Sequence, residues 1–74
     1  MQTKLMSIRK ESGVRQHELA KLLGISDKSY SFKELGKAEF KASEMFTLAR
    51  YFNKTIEDIF LPYILQNGVK IKGE

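Results

Sequence analysis

The stretch from Gln16 to Lys37, QHELAKLLGISDKSYSFKELGK, constrains the chain more than any other. Its pattern predicts two short helices joined by a tight turn. Leu19, Leu22 and Leu23 recur at helical spacing and are expected on one face of the first. Ala20 is small where a second helix has to cross close by. Gly24 can take positive φ, which a sharp helix exit favours. Ile25 is apolar, and Ser26 is a natural N-cap for the helix that follows.

The flanking sequence predicts three more helices and hence an all-α, five-helix bundle. A first helix covers Lys4 to Ser12, with Leu5, Ile8 and Met6 facing inward, and Gly13 ends it. Val14 plugs the connecting turn. The second helix is Gln16 to Leu23 and the third Asp27 to Leu35, closed by Gly36. Phe40 anchors a loop from Ala38 to Lys41. In the fourth helix, Ala42 to Phe52, the residues Met45, Leu48, Ala49 and Phe52 recur at i, i+3, i+4 and i+7, the strongest amphipathic signal in the chain. Asn53 suits a left-handed cap. Thr55 with Asp58 three residues on makes a capping box for a short fifth helix. Ile56, Ile59 and Phe60 point inward there, and Pro62 is expected to end the helix at Leu61. Residues 1–61 thus read as one domain and 62–74 as a C-terminal tail. Within the tail Val69-Lys70-Ile71-Lys72 alternates with the period of a strand. It reads either as a frayed end or as an arm that pairs across a dimer or touches DNA.

A chain of 74 residues is one domain at most. A domain this small buries only about 60% of its unfolded surface, so its stability rests on helix packing, helped by dimerisation. It has no cysteine and one histidine, which excludes disulfide staples and a zinc cluster. The lack of cysteine fits a reducing compartment, and with neither a signal peptide nor a membrane-spanning run the expected location is the cytoplasm. Thirteen basic against nine acidic residues leave a net charge of +4, which suits a polyanionic partner or serves solubility alone. No phosphate-cradling glycine loop, paired carboxylate site or activated nucleophile is visible, so an enzyme, a cofactor and a small-molecule ligand are not expected.

The order of small residue, glycine, apolar residue and N-cap in the opening stretch is that of a helix-turn-helix, whose usual job is to place its second helix in the DNA major groove. From Leu5 to Phe60, about three quarters of the chain, the sequence resembles the lambda-repressor and Cro-like helix-turn-helix family. The resemblance rests on IRKESGVRQHELAKLLGIS, a recognition-helix slot ending in KELGK, then MFTLARYFN and TIEDIF. It implies that Arg9 on the first helix braces Glu34 near the end of the recognition helix, by bidentate bonds. A surface ion pair of little weight is the duller reading. Three positions depart from the family pattern. Lys33 stands where Ile or Leu is usual, so its stem can cover apolar surface while its ammonium reaches water or phosphate. Tyr30 replaces a smaller aliphatic residue and is expected in the core, with a partner needed for its hydroxyl. Arg15 replaces a Ser or Thr cap, losing about 1 kcal/mol.

On a recognition helix starting at Asp27, the candidate base contacts are Asp27, Lys28, Ser29, Ser31 and Phe32. Lys28 can donate to guanine or hold phosphate. Asp27 can accept from cytosine N4 or simply satisfy the helix N-terminus, and Phe32 can pack on a thymine methyl or fold back on the protein. Candidate phosphate contacts are Arg15, Gln16, Lys33, Lys37 and Lys41; Gln16 and Lys37 carry that role by the resemblance. His17 reads as an exposed residue of the second helix. The expected function is that of a sequence-specific double-stranded DNA-binding transcription regulator, a Cro-like repressor of phage or mobile-element type, with no room for an effector domain. A homodimer on an inverted repeat would supply affinity that one small domain lacks. Its expected interface is Ile59, Phe60, Leu61, Tyr63 and Ile64. The alternative is a protein-interaction module on the same fold, an antitoxin or a modulator of another repressor.

Overall fold

A computed structural model of the chain describes residues 2–67 and the side-chain surroundings of residues 2–61. It contains helices α1 (Thr3–Glu11), α2 (Gln16–Leu23), α3 (Asp27–Leu35), α4 (Ala42–Tyr51) and α5 (Ile56–Asn67), the five helices expected, within a residue of the predicted bounds for the first four. The strand expected at Val69 to Lys72 lies outside the described residues.

The first four helices stop in the same way. A left-handed residue follows each: Gly13, Gly24, Gly36 and Asn53. The amide after that residue then reaches back to the exposed carbonyls of the last turn. Val14 N donates to Arg9 O, Ile25 N to Ala20 O, Lys37 N to Phe32 O and Lys54 N to Ala49 O. These bonds satisfy carbonyls that the helix itself leaves unpaired, and they fold the residue past the turn onto the helix it has just left. At the starts, the Ser26 hydroxyl accepts from Ser29 N, and Thr55 and Asp58 exchange both bonds of their capping box. Those bonds hold the Asp58 carboxyl below the usual carboxylate range. Arg15 has no acceptor to offer, but the Glu18 carboxylate accepts from Arg15 N, so half a capping box survives.

The core gathers Leu5, Leu19, Ala20, Tyr30, Phe40, Met45, Leu48, Ala49, Ile56, Ile59 and Phe60, with Ile8, Val14, Leu23 and Phe52 packed against it. Tyr30, Phe40 and Phe60 form an edge-to-face series, with ring centroids 6.0 and 5.4 Å apart. It joins α3, the loop and α5 through the middle of the molecule.

Three expectations need correction. Leu22 is exposed. At about 100° per residue, burial of Leu19 and Ala20 together turns the inner face of α2 toward Leu23 and leaves Leu22 on its edge. Pro62 does not end α5, which continues to Asn67. A proline deletes its own N–H and crowds the preceding turn, yet those costs fall on one place in the ladder and need not stop the helix. Ile59 and Phe60 are fully enclosed within their own domain, because α5 packs on α1 and α4 and the Phe60 ring ends the aromatic series. They offer no surface to a partner. The Tyr63 and Ile64 side chains lie outside the described residues, which leaves Leu61 as the exposed member of that expected set.

Candidate nucleic-acid interface

The outer face of α3 follows from what its inner face is made to do. Tyr30 and Glu34, one turn apart, are both buried. The Glu34 carboxylate accepts from Arg9 Nε at 2.9 Å and Arg9 Nη2 at 3.0 Å. It also accepts from Tyr30 OH at 2.8 Å and Gln16 Nε2 at 2.8 Å. Arg9 Nη1 donates to Val14 O, so one buried ion pair fixes α1, the turn after it, α2 and α3. Burial pushes the Glu34 carboxyl upward, but the bonds from Arg9, Gln16 and Tyr30 outweigh it and hold the group below the usual carboxylate range. The hydrogen bond to Glu34 raises the Arg9 guanidinium further. Burial, then the bond to Glu34, pushes the Tyr30 hydroxyl far above its ordinary value. The brace expected between Arg9 and Glu34 is present, and the Tyr30 hydroxyl has its partner.

With that side locked, α3 presents Asp27, Lys28, Ser29 and Phe32 outward, with Ser31 half-buried beside them. Four of the five candidate base contacts are therefore exposed together on one element. Phe32 is 38% exposed and does not fold back into the core. The Lys28 ammonium lies 5.7 Å from its ring centroid and that of Lys37 5.4 Å. Both contacts are geometric consequences of the helix: Lys28 is one turn before Phe32, and the left-handed Gly36 swings Lys37 back over it. An apolar pair commonly makes this contact across such a turn; here a cation and a ring make it.

The candidate phosphate residues divide. Arg15, Lys37 and Lys41 are exposed. Gln16 is half-buried with its amide engaged on Glu34, although that amide has a second N–H and an oxygen to offer. Lys33 does not belong with them. Its stem lies against the protein, its ammonium donates to Glu44 Oε1 at 2.8 Å, and its side chain is 12% exposed. The same Glu44 oxygen accepts from Lys41 N and so caps α4. A lysine where the family has an aliphatic residue is accommodated by a carboxylate on the neighbouring helix.

Sequence reasoning missed three contacts: Lys33 with Glu44, Gln16 with Glu34, and His17 Nδ1 with the Asp27 carboxylate at 2.9 and 3.1 Å. The last joins the first turns of α2 and α3 on the exposed surface. The partners lie ten or more residues apart and no local spacing signals them. By contrast FKELGK carries its own signal for the Lys37 contact, once its glycine is read as a left-handed cap. Among the described residues no cluster of His, Cys, Asp or Glu could hold a metal ion, and no helix is long and apolar enough to cross a membrane.

The model of the helix-turn-helix family matches residues 5–59. Two uncharacterized HTH-type transcriptional regulators of Archaeoglobus fulgidus are each 36% identical to the chain over 61 residues, which is 82% of this chain. The match covers 87% of one relative and 86% of the other. With α2 and α3 forming the motif and the Arg9–Glu34 brace behind them, the chain belongs to the lambda-repressor and Cro-like helix-turn-helix family.

Proposed function

We propose that the protein is a sequence-specific double-stranded DNA-binding transcription regulator. It acts as a Cro-like repressor and binds an inverted-repeat operator as a homodimer. The observation that carries this reading is the asymmetry of α3. Its inner face is fixed by a buried, fully hydrogen-bonded ion pair, while its outer face carries exposed donors, an acceptor and a ring. That is a rigid platform for a helix in the major groove, where side chains of the first turns reach base edges. The family and the description of the relatives as transcriptional regulators support the same reading. Lys28, Asp27, Ser29, Ser31 and Phe32 face the bases. Arg15, Lys37, Lys41 and the free side of the Gln16 amide face the phosphates.

Titration of random and selected duplexes at several salt concentrations tests the proposal. Binding to both weakens steeply as salt rises, with selected sequence retained far longer than random. A protein that binds no duplex at low salt, and is instead recovered with a protein encoded beside it, is an interaction module on the same fold.

A further inference from the structure

We propose that Phe32 reads the 5-methyl group of a pyrimidine in the major groove, flanked by Lys28 and Lys37. The inference rests on the DNA-binding reading above and adds to it the chemistry of one operator position. In the free protein the exposed ring has two ammonium groups within 6 Å of its centroid, at 5.7 and 5.4 Å. Those cations stand over part of a ring that is 38% exposed. A duplex offers both lysines stronger partners, phosphates and the guanine O6 and N7 atoms. Once they turn to these, the ring faces the groove without its cations. Among the edge groups of the major groove the methyl on pyrimidine C5 is the one that projects as a bulky apolar surface; the C5–H of cytosine and the C8–H of purines offer far less. An aromatic ring on the groove-facing side of α3 buries the most apolar surface against that methyl. The shared chemistry is a 5-methylpyrimidine, supplied by thymine or by 5-methylcytosine.

The full chain is titrated against a duplex that it has selected from random sequence. Each thymine of a half-site is replaced in turn by deoxyuridine, which deletes a methyl and leaves every hydrogen-bonding group in place. At one position per half-site the dissociation constant rises about fourfold, the weight of one buried methyl. Phe32→Ala abolishes that difference at that position. Phe32→Leu, apolar but without a π-face, retains part of it. The ring is exposed, so circular dichroism of both variants shows unchanged helicity. At the same position, cytosine and 5-methylcytosine opposite guanine distinguish the sources. Tighter binding of thymine than of 5-methylcytosine makes the ordinary base the ligand, and the reverse order makes it the modified one. If no thymine shows a methyl effect and 5-methylcytosine is bound like cytosine, the proposal is overturned while selective binding stands. It is equally overturned if Phe32→Ala leaves the methyl effect intact. Failure to bind any duplex removes both readings.

Discussion

At Glu34 one carboxylate accepts four hydrogen bonds from three side chains in a site that is 1% exposed. A buried charge is tolerable only when so paired, and removing one member leaves the others uncompensated. Glu34→Gln therefore destabilises the fold by about 3 kcal/mol at neutral pH, the range for breaking a buried pair. The pH dependence follows from the lowered carboxyl of the folded state. Such a group contributes stability that is present above its unfolded pKa, about 4.3, and is lost as pH falls through its folded value. Urea unfolding from pH 7 down to pH 2 should show the gap between wild type and Glu34→Gln closing only below about pH 4. A gap constant across that range would contradict the assignment. Lys28 and Gln16 separate base reading from support. Lys28→Ala is expected to weaken selected-site binding by about 1 to 3 kcal/mol and to relax one operator position. Gln16→Ala loses a bond to a charged group, so it lowers stability by about 1.5 kcal/mol. It also weakens binding without changing the preferred sequence. Equal losses on selected and random duplexes for Lys28→Ala would assign that lysine to phosphate.

Among elements, the repeated helix ending explains why so much of the fold is legible in the sequence. Gly24 and Gly36 sit where the backbone has φ 72° and 86°, a region open to glycine at little cost. Each punctuates the pattern at the place a reader of the sequence expects. A Cβ added at Gly24 meets no atom within 4 Å, so Gly24→Ala is charged with backbone strain alone, about 1 to 2 kcal/mol in a thermal melt. The core periodicity of α4 and the caps at Ser26 and Thr55 are equally local, and the sequence displays them. What it does not display is pairing across helices. Lys33 reads as a phosphate contact because no carboxylate stands three or four residues from it on its own helix; Glu44, on α4, supplies one. Pro62 likewise reads as a helix end because its local cost is plain, whereas α5 runs on to Asn67. The two lysines of FKELGK then behave oppositely. Lys37→Ala lowers the salt slope of DNA binding by about one unit. Lys33→Ala leaves that slope unchanged and costs about 2 kcal/mol of stability, because Glu44 loses its cation while keeping the Lys41 amide. A reduced slope in Lys33→Ala would return that residue to the DNA surface.

For the whole molecule, the proposed homodimer needs a surface on which two copies can meet. The chain carries a net charge of +4 on one small domain, so long-range repulsion opposes association and an apolar surface has to overcome it. Ile59 and Phe60 cannot supply that surface because they complete the core. Leu22, Phe32 and Leu35 are exposed on α2 and α3, the pair proposed to face DNA; away from that pair Phe46 and Tyr51 on α4 and Leu61 on α5 are between 38 and 47% exposed. Phe46 also lines a shallow groove with Ala49, Arg50, Lys54, Thr55, Ile56 and Glu57. Arg50, Lys54 and Glu57 bring charges of both signs to that groove, so in the proposed two-fold contact a cation of one copy could meet Glu57 of the other. Truncation after Leu61 is a poor probe, since it would cut α5 in the middle. Point changes on the exposed side chains leave the helix whole. Leu61→Glu and Phe46→Ser are each expected to keep the helical circular dichroism of the parent. In sedimentation equilibrium they are expected to shift the protein toward monomer, and operator affinity to fall with assembly while random-duplex affinity is spared, because the proposed phosphate contacts all lie within one domain. Loss of helicity would place these residues in the core instead. Folded variants that still dimerise and bind operator as before would show that α4 and α5 do not form the interface.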